Sequence, residues 1–125
     1  MNRNYLFVFV GGGLGASFRY WLSGVIPEYF GSQFPYAILT VNIIGCFLIG
    51  FLMAAMEERF AVTPDLRIFL TIGILGGFTT FSTFSFETVA MLRDGELLKA
   101  GLYIGLSIFL CLGGTHFGWL LGEII

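Results

Sequence analysis

The sequence predicts an all-α integral membrane protein. It has four transmembrane helices, the third broken near its middle, assembled as an antiparallel dual-topology dimer. Three observations carry this reading. Of 125 residues, 57% are hydrophobic and only 11% charged, against about 25% charged in ordinary soluble domains. The apolar residues collect into four stretches, each near the ~20 residues that a spanning helix requires. The basic residues divide almost evenly between the two ends of those stretches.

The first span covers about residues 5–26 and is interrupted only by Arg19. Tyr5 to Val10 runs straight into Gly11 with no small-residue cleavage pattern, so this span is expected to be retained rather than removed as a signal peptide. The second, about 36–56, has no charge. The third, about 68–92, holds one acid, Glu87, towards its end, and the fourth, about 100–121, is again uncharged. Pro35, Pro64 and Asp65 mark helix starts, and Asp94-Gly95 marks a stop and turn. The connections are short, so residues 1–125 form a single four-helix membrane domain.

Arg3, Arg59 and Arg67 fall at one end of the spans; Arg93 and Lys99 fall at the other, with Arg19 close enough to snorkel there. Orientation follows such counts, and with almost no bias the chain inserts either way up. A chain of that kind pairs as an antiparallel homodimer. Glycines four apart favour close helix packing in lipid, where hydrophobicity supplies no drive. They are Gly11/Gly15, Gly73/Gly77, Gly101/Gly105 and Gly114/Gly118/Gly122.

The stretch Gly76-Gly77-Phe78-Thr79-Thr80-Phe81-Ser82-Thr83-Phe84-Ser85 cannot form a smooth apolar helix. Each glycine weakens a helix by about 1 kcal/mol relative to alanine. The hydroxyls compete for backbone groups. A break at membrane depth survives only where protein or a watery cavity satisfies the released groups. The carbonyls around Gly76 and Thr79 lose their donors there and become ligands for a hard monovalent cation, or else they are met by threonine hydroxyls and water. Two antiparallel copies bring two such breaks together.

Asn42 lies in an apolar span. Its carboxamide serves either as interhelical glue or as a donor to a dehydrated anion. Tyr103, Ser107 and Cys111 recur four apart on one helix face, either a line of neutral donors suited to an anion or a packing seam. Phe81 and Phe84 share a face, and a ring edge carries partial positive charge. Arg19 either snorkels to the interface or makes a watery mouth electropositive.

Several classes are excluded. With no basic block and a net charge of -2, nucleic acid is not a partner. Cys46, Cys111 and His116 do not make a metal-ligand set; the two cysteines read as small buried hydrophobes. No triad, paired-carboxylate site or phosphate loop is present, so an enzyme is not expected.

Three motifs, in order along the whole chain, resemble the Fluc (CrcB) fluoride channel family: Gly11-Gly12-Gly13-Leu14-Gly15-Ala16-Ser17-Phe18-Arg19-Tyr20, Asn42-Ile43-Ile44-Gly45, and the Gly76–Ser85 stretch. The resemblance implies a passive, fluoride-selective channel of the bacterial plasma membrane that confers fluoride resistance, built as an antiparallel dimer with two pores. It implies that Asn42, Phe81, Phe84, Thr83, Tyr103 and Ser107 line the fluoride path. Arg19 would stand at the vestibule, and the Gly76 and Thr79 carbonyls would hold a structural sodium that is not transported. Cys111 stands where the line of hydroxyls would continue, and a thiol is a poorer donor. The alternatives are a small dual-topology multidrug-type transporter, for which Glu87 is the one membrane-embedded acid, and a non-transporting membrane scaffold resting on the glycine seams.

Overall fold

The computed structural model describes residues 3–58 and 61–125, and those residues form helices and short connections without a strand. Arg59, one of the basic residues weighed for orientation, lies outside the described residues. In chain order the elements are α1 (Asn4–Phe30), α2 (Tyr36–Glu58), α3 (Pro64–Ile68), a π-helical stretch (Phe69–Leu75), α4 (Gly76–Phe78), α5 (Phe81–Arg93) and α6 (Leu97–Ile124).

Three helical segments are long and apolar enough to cross a membrane: Tyr36–Glu57, the composite Pro64–Arg93, and Leu97–Ile124. The first helix is long enough at 27 residues but is not among them, because Arg19, its glycines and its flanking polar residues dilute its apolar run. Only 11% of the apolar window of α6 is buried inside the chain. Much of the remainder is exposed, Leu102, Ile108, Phe109, Leu112 and Phe117 among it.

Local chemistry sets most boundaries. Thr63 caps α3 by accepting from the Leu66 amide, with Pro64 at the first helical position. The helix of residues 81–93 ends at Asp94, and Gly95 takes φ +79°, a value that favours glycine. The first helix runs four residues beyond the expected end, passing through Pro27 to Phe30 before Gly31 closes it by donating to the Pro27 carbonyl. Pro27 sits in the last turns, where losing one intrahelical bond costs little of the helix.

Two seams organise the packing. In the first, α1 lies against the π-helical stretch and α4. A methyl added to Gly15 would run into the Ile74 carbonyl oxygen and come within 2.8 Å of the Phe78 amide; one added to Gly77 would meet Gly12. In the second, α2 lies along α6, with Gly50 against Thr115, Gly118 against Phe47 and Gly122 against Phe51. Three of the expected glycine pairings thus serve contacts within the chain. Gly101 and Gly105 do not: a methyl on either would meet none of the described residues within 4 Å.

The ends of the bundle are tied by charge. Arg3 pairs with Asp65 at 3.0 Å, and Arg67 lies 3.9 Å from Glu57. At the other end Lys99 pairs with Glu96 at 2.8 Å and donates to the Gln33 carbonyl.

Candidate functional site

The break in the third segment falls at Thr79-Thr80, both extended, with ψ of 157° and 121°. The glycine pair does not make it. Gly76 keeps helical angles, φ −62° and ψ −38°, and Gly77 is small because α1 crosses there. The hydroxyls make the break instead. Thr79 Oγ1 donates to the Leu75 carbonyl, which also receives the Thr79 amide, both at 3.0 Å. Thr80 Oγ1 caps the next helix by accepting from the Thr83 amide at 3.1 Å, and it also contacts the Ser82 and Thr83 hydroxyls.

Asn42 bridges the gap from α2. Its Nδ2 donates to the Thr80 carbonyl at 3.0 Å, and its Oδ1 accepts from the Thr80 amide at 2.9 Å. The glue reading of Asn42 is therefore met, and one Nδ2 hydrogen is left over, since a carboxamide carries two. Arg19, in mid-helix because α1 is longer than expected, donates from Nε to the Gly77 carbonyl at 3.2 Å. Its guanidinium stands beside the break.

These bonds decide which carbonyls are released. The amide that would serve Gly76 in a continuous helix is that of Thr80, and it is turned to Asn42. The amide that would serve Thr79 is that of Thr83, and it is turned to Thr80 Oγ1. The Gly76 and Thr79 carbonyls fit a hard cation in chemistry, and both residues line the same groove. Among the described residues no cluster of three or more His, Cys, Asp or Glu side chains offers another kind of metal site.

That groove has a volume of about 500 Å³ and lies between α2, the broken segment and α6. Asn42, Phe81, Phe84 and Ser107 border it, together with Cys46 and Cys111. Ser107 is buried, and its Oγ has no hydrogen-bond partner among the described residues. Buried hydroxyls are as a rule partnered by protein, water or an ion, and the groove is the space beside Ser107 that can hold one. The Phe81 and Phe84 rings are 5.3 Å apart and inclined at 54°. Phe81 is 78% exposed, whereas Phe84 packs on Tyr103 at 5.0 Å.

Tyr103 and Thr83 lie elsewhere. The Tyr103 side chain is fully buried, and its hydroxyl donates to Glu87 Oε1 at 2.6 Å. Its ring also meets Phe34 edge-on. Thr83 and Glu87 border a second cavity of about 440 Å³, together with Ser23, Gln33 and Phe86. Phe84, which packs on Tyr103, borders the first cavity and not the second. Sequence reasoning missed the cap and bridge at Thr80. Its signal was present in Thr80 standing three residues before Thr83, at the start of a periodic helix.

The apolar spans and the break satisfied by side chains at depth define a multi-pass membrane protein whose site is a groove of neutral donors, carbonyls and ring edges. The sequence model of the family described as "CrcB-like protein, Camphor Resistance (CrcB)" matches residues 6–119. The chain belongs to that family. Among its relatives, a protein of Geotalea uraniireducens is 48% identical over 120 residues, covering 96% of this chain and 97% of the relative. One of Geotalea daltonii is 49% identical over 116 residues, covering 93% and 94%. One of Aquifex aeolicus is 44% identical over 116 residues, with the same shares. Each of the three is named "Fluoride-specific ion channel FluC".

Proposed function

We propose that this chain is a fluoride-selective passive ion channel, not an enzyme, and that it exports cytoplasmic fluoride down its electrochemical gradient. The observation that carries the reading is the groove. An unused Asn42 N–H, the unpartnered Ser107 hydroxyl and the exposed Phe81 ring converge on it without a fixed charge on any of them. Full-length relatives named fluoride-specific ion channels support it.

The physics suits a channel. Hydrogen fluoride is neutral and crosses a membrane from an acidic exterior. It ionises in a neutral cytoplasm and leaves fluoride trapped. An inside-negative potential then drives the anion out, by about 2.3 kcal/mol per charge per 100 mV. Closely set N–H, O–H and ring-edge groups replace the tight hydration shell of fluoride, and a narrow path disfavours the larger chloride. Thr83 and Glu87 form the approach to the groove from the second cavity, Tyr103 holds Glu87 from behind, and Arg19 keeps positive charge beside the break.

In this reading four helices span the bacterial plasma membrane, and two copies pair in opposite orientations to close their grooves into pores. The near-even basic residues, the largely uncovered face of α6 and the unpaired Gly101 and Gly105 support such pairing. The Gly76 and Thr79 carbonyls of each copy would hold the structural sodium between them, which is not transported and supplies a fixed positive centre for the pair. A multidrug-type exchanger is disfavoured because Glu87, the single acid at depth, is engaged by Tyr103.

Fluoride efflux from liposomes containing the purified protein tests the proposal. Rapid, electrogenic efflux without a proton gradient is expected. No fluoride flux from a correctly assembled dimer overturns it.

A further inference from the structure

Cys46 and Cys111 are both free thiols, half-buried, and both border the groove. Cys46 stands one helical turn beyond Asn42 on α2, and Cys111 one turn beyond Ser107 on α6. The two helices run the same way and pack closely along this face. Thr115, one turn further on α6, donates from Oγ1 to the Cys46 carbonyl at 3.0 Å. Gly114, also on α6, lies against Ile43 and Phe47 of α2, so Cys46 and Cys111 fall at the same level of the helix pair and on the same groove. They therefore form a layer of sulfur directly above the layer of amide and hydroxyl donors.

The geometry points to a two-thiolate site for a soft divalent cation of the mercuric type, whose occupation obstructs the groove. Sulfur is the preferred ligand of soft metals, and the thiolate is the form that binds. Each thiol releases its proton to water as its sulfur–metal bond forms, so two protons leave for one divalent ion bound. The product of two thiolates and one divalent ion is neutral, and it escapes the cost of placing net charge in an apolar groove. Hard cations lack this match and would not compete. The metal-binding step stands on the cysteines alone; its effect on flux rests on the fluoride-channel reading.

The test uses mercuric chloride on the full-length protein in liposomes and in detergent. Intact-protein mass spectrometry is expected to show one mercury gained and two protons lost per chain. Fluoride efflux is expected to stop, and a small dithiol should restore it. Cys46→Ser and Cys111→Ser should each raise the half-inhibitory concentration by about a hundredfold, at least the loss seen when a metal site's outer partners are removed. Inhibition is scaled to each variant's own uninhibited flux. Equal mercury uptake by the double variant overturns the site. Uptake by the native chain with unaltered fluoride efflux overturns the obstruction. A native chain that binds mercury through these two thiols but carries no fluoride at all keeps the site and discards the channel reading instead.

Discussion

Asn42 and Thr80 are joined twice: the carboxamide of one donates to the carbonyl of the other and accepts from its amide, at 3.0 and 2.9 Å. The side chain acts there as a missing stretch of backbone. It takes up the Thr80 amide that a continuous helix would have given to Gly76 and also reaches the Thr80 carbonyl, so both polar groups of Thr80 are satisfied where the third segment breaks.

Asn42→Asp keeps the acceptor and loses the donor. It sets a carboxylate oxygen against the Thr80 carbonyl and puts negative charge in the groove. Leaving a part-buried carbonyl unsatisfied costs about 1–3 kcal/mol. Fluoride efflux is expected to cease, and thermal stability of the purified protein to fall. Normal conduction would show that Asn42 acts only as a brace.

Phe81→Ile removes an exposed ring that packs on little but Phe84. Stability should hold while fluoride flux collapses, because no ring edge remains at that point of the path. Phe84→Ile should lower both, since Phe84 also packs on Tyr103. Unaltered flux in the Phe81 variant would remove the ring-edge mechanism.

Ser107→Ala deletes a buried hydroxyl that has no partner among the described residues. A purely structural serine in that state costs stability, so its removal should leave the melting temperature equal or higher. Fluoride flux should drop at the same time. The two readouts move in opposite directions only if the hydroxyl serves the ion, and unchanged flux would withdraw Ser107 from the path.

Gly15→Ala forces a methyl against the Ile74 carbonyl and the Phe78 amide. Backbone cannot yield as a side chain does, and overpacking costs about 1–3 kcal/mol. A matching loss in a denaturation series is expected. Gly13→Ala, where a methyl meets nothing within 4 Å, is the control and should be neutral.

Replacing sodium by a large organic cation throughout purification and assay tests the proposed cation between the Gly76 and Thr79 carbonyls. Dimer assembly, read by crosslinking, and fluoride efflux should both decline and recover on sodium return. Indifference of both would assign those carbonyls to water.

The membrane class, three of the four expected apolar spans and the presence of a break were legible in the sequence, because each depends on composition or on local backbone preference. Asn42 and Ser107 stood out as polar residues inside apolar spans, but their grouping with Phe81 and Phe84 came from the resemblance to the family's motifs. What local propensity could not decide was where the break falls. Gly76-Gly77 looked like its cause, yet both stay helical, and it is Gly77 whose smallness serves the crossing with α1. The break moves to Thr79-Thr80 because a carboxamide from α2, 38 positions away, is there to satisfy it. Tertiary structure likewise separated Tyr103 from Ser107 on one helix. A residue one turn away met Glu87 and was buried, while Ser107 was left facing the groove. Sequence spacing determines which residues share a helix face; only the neighbouring helices determine what each part of that face meets.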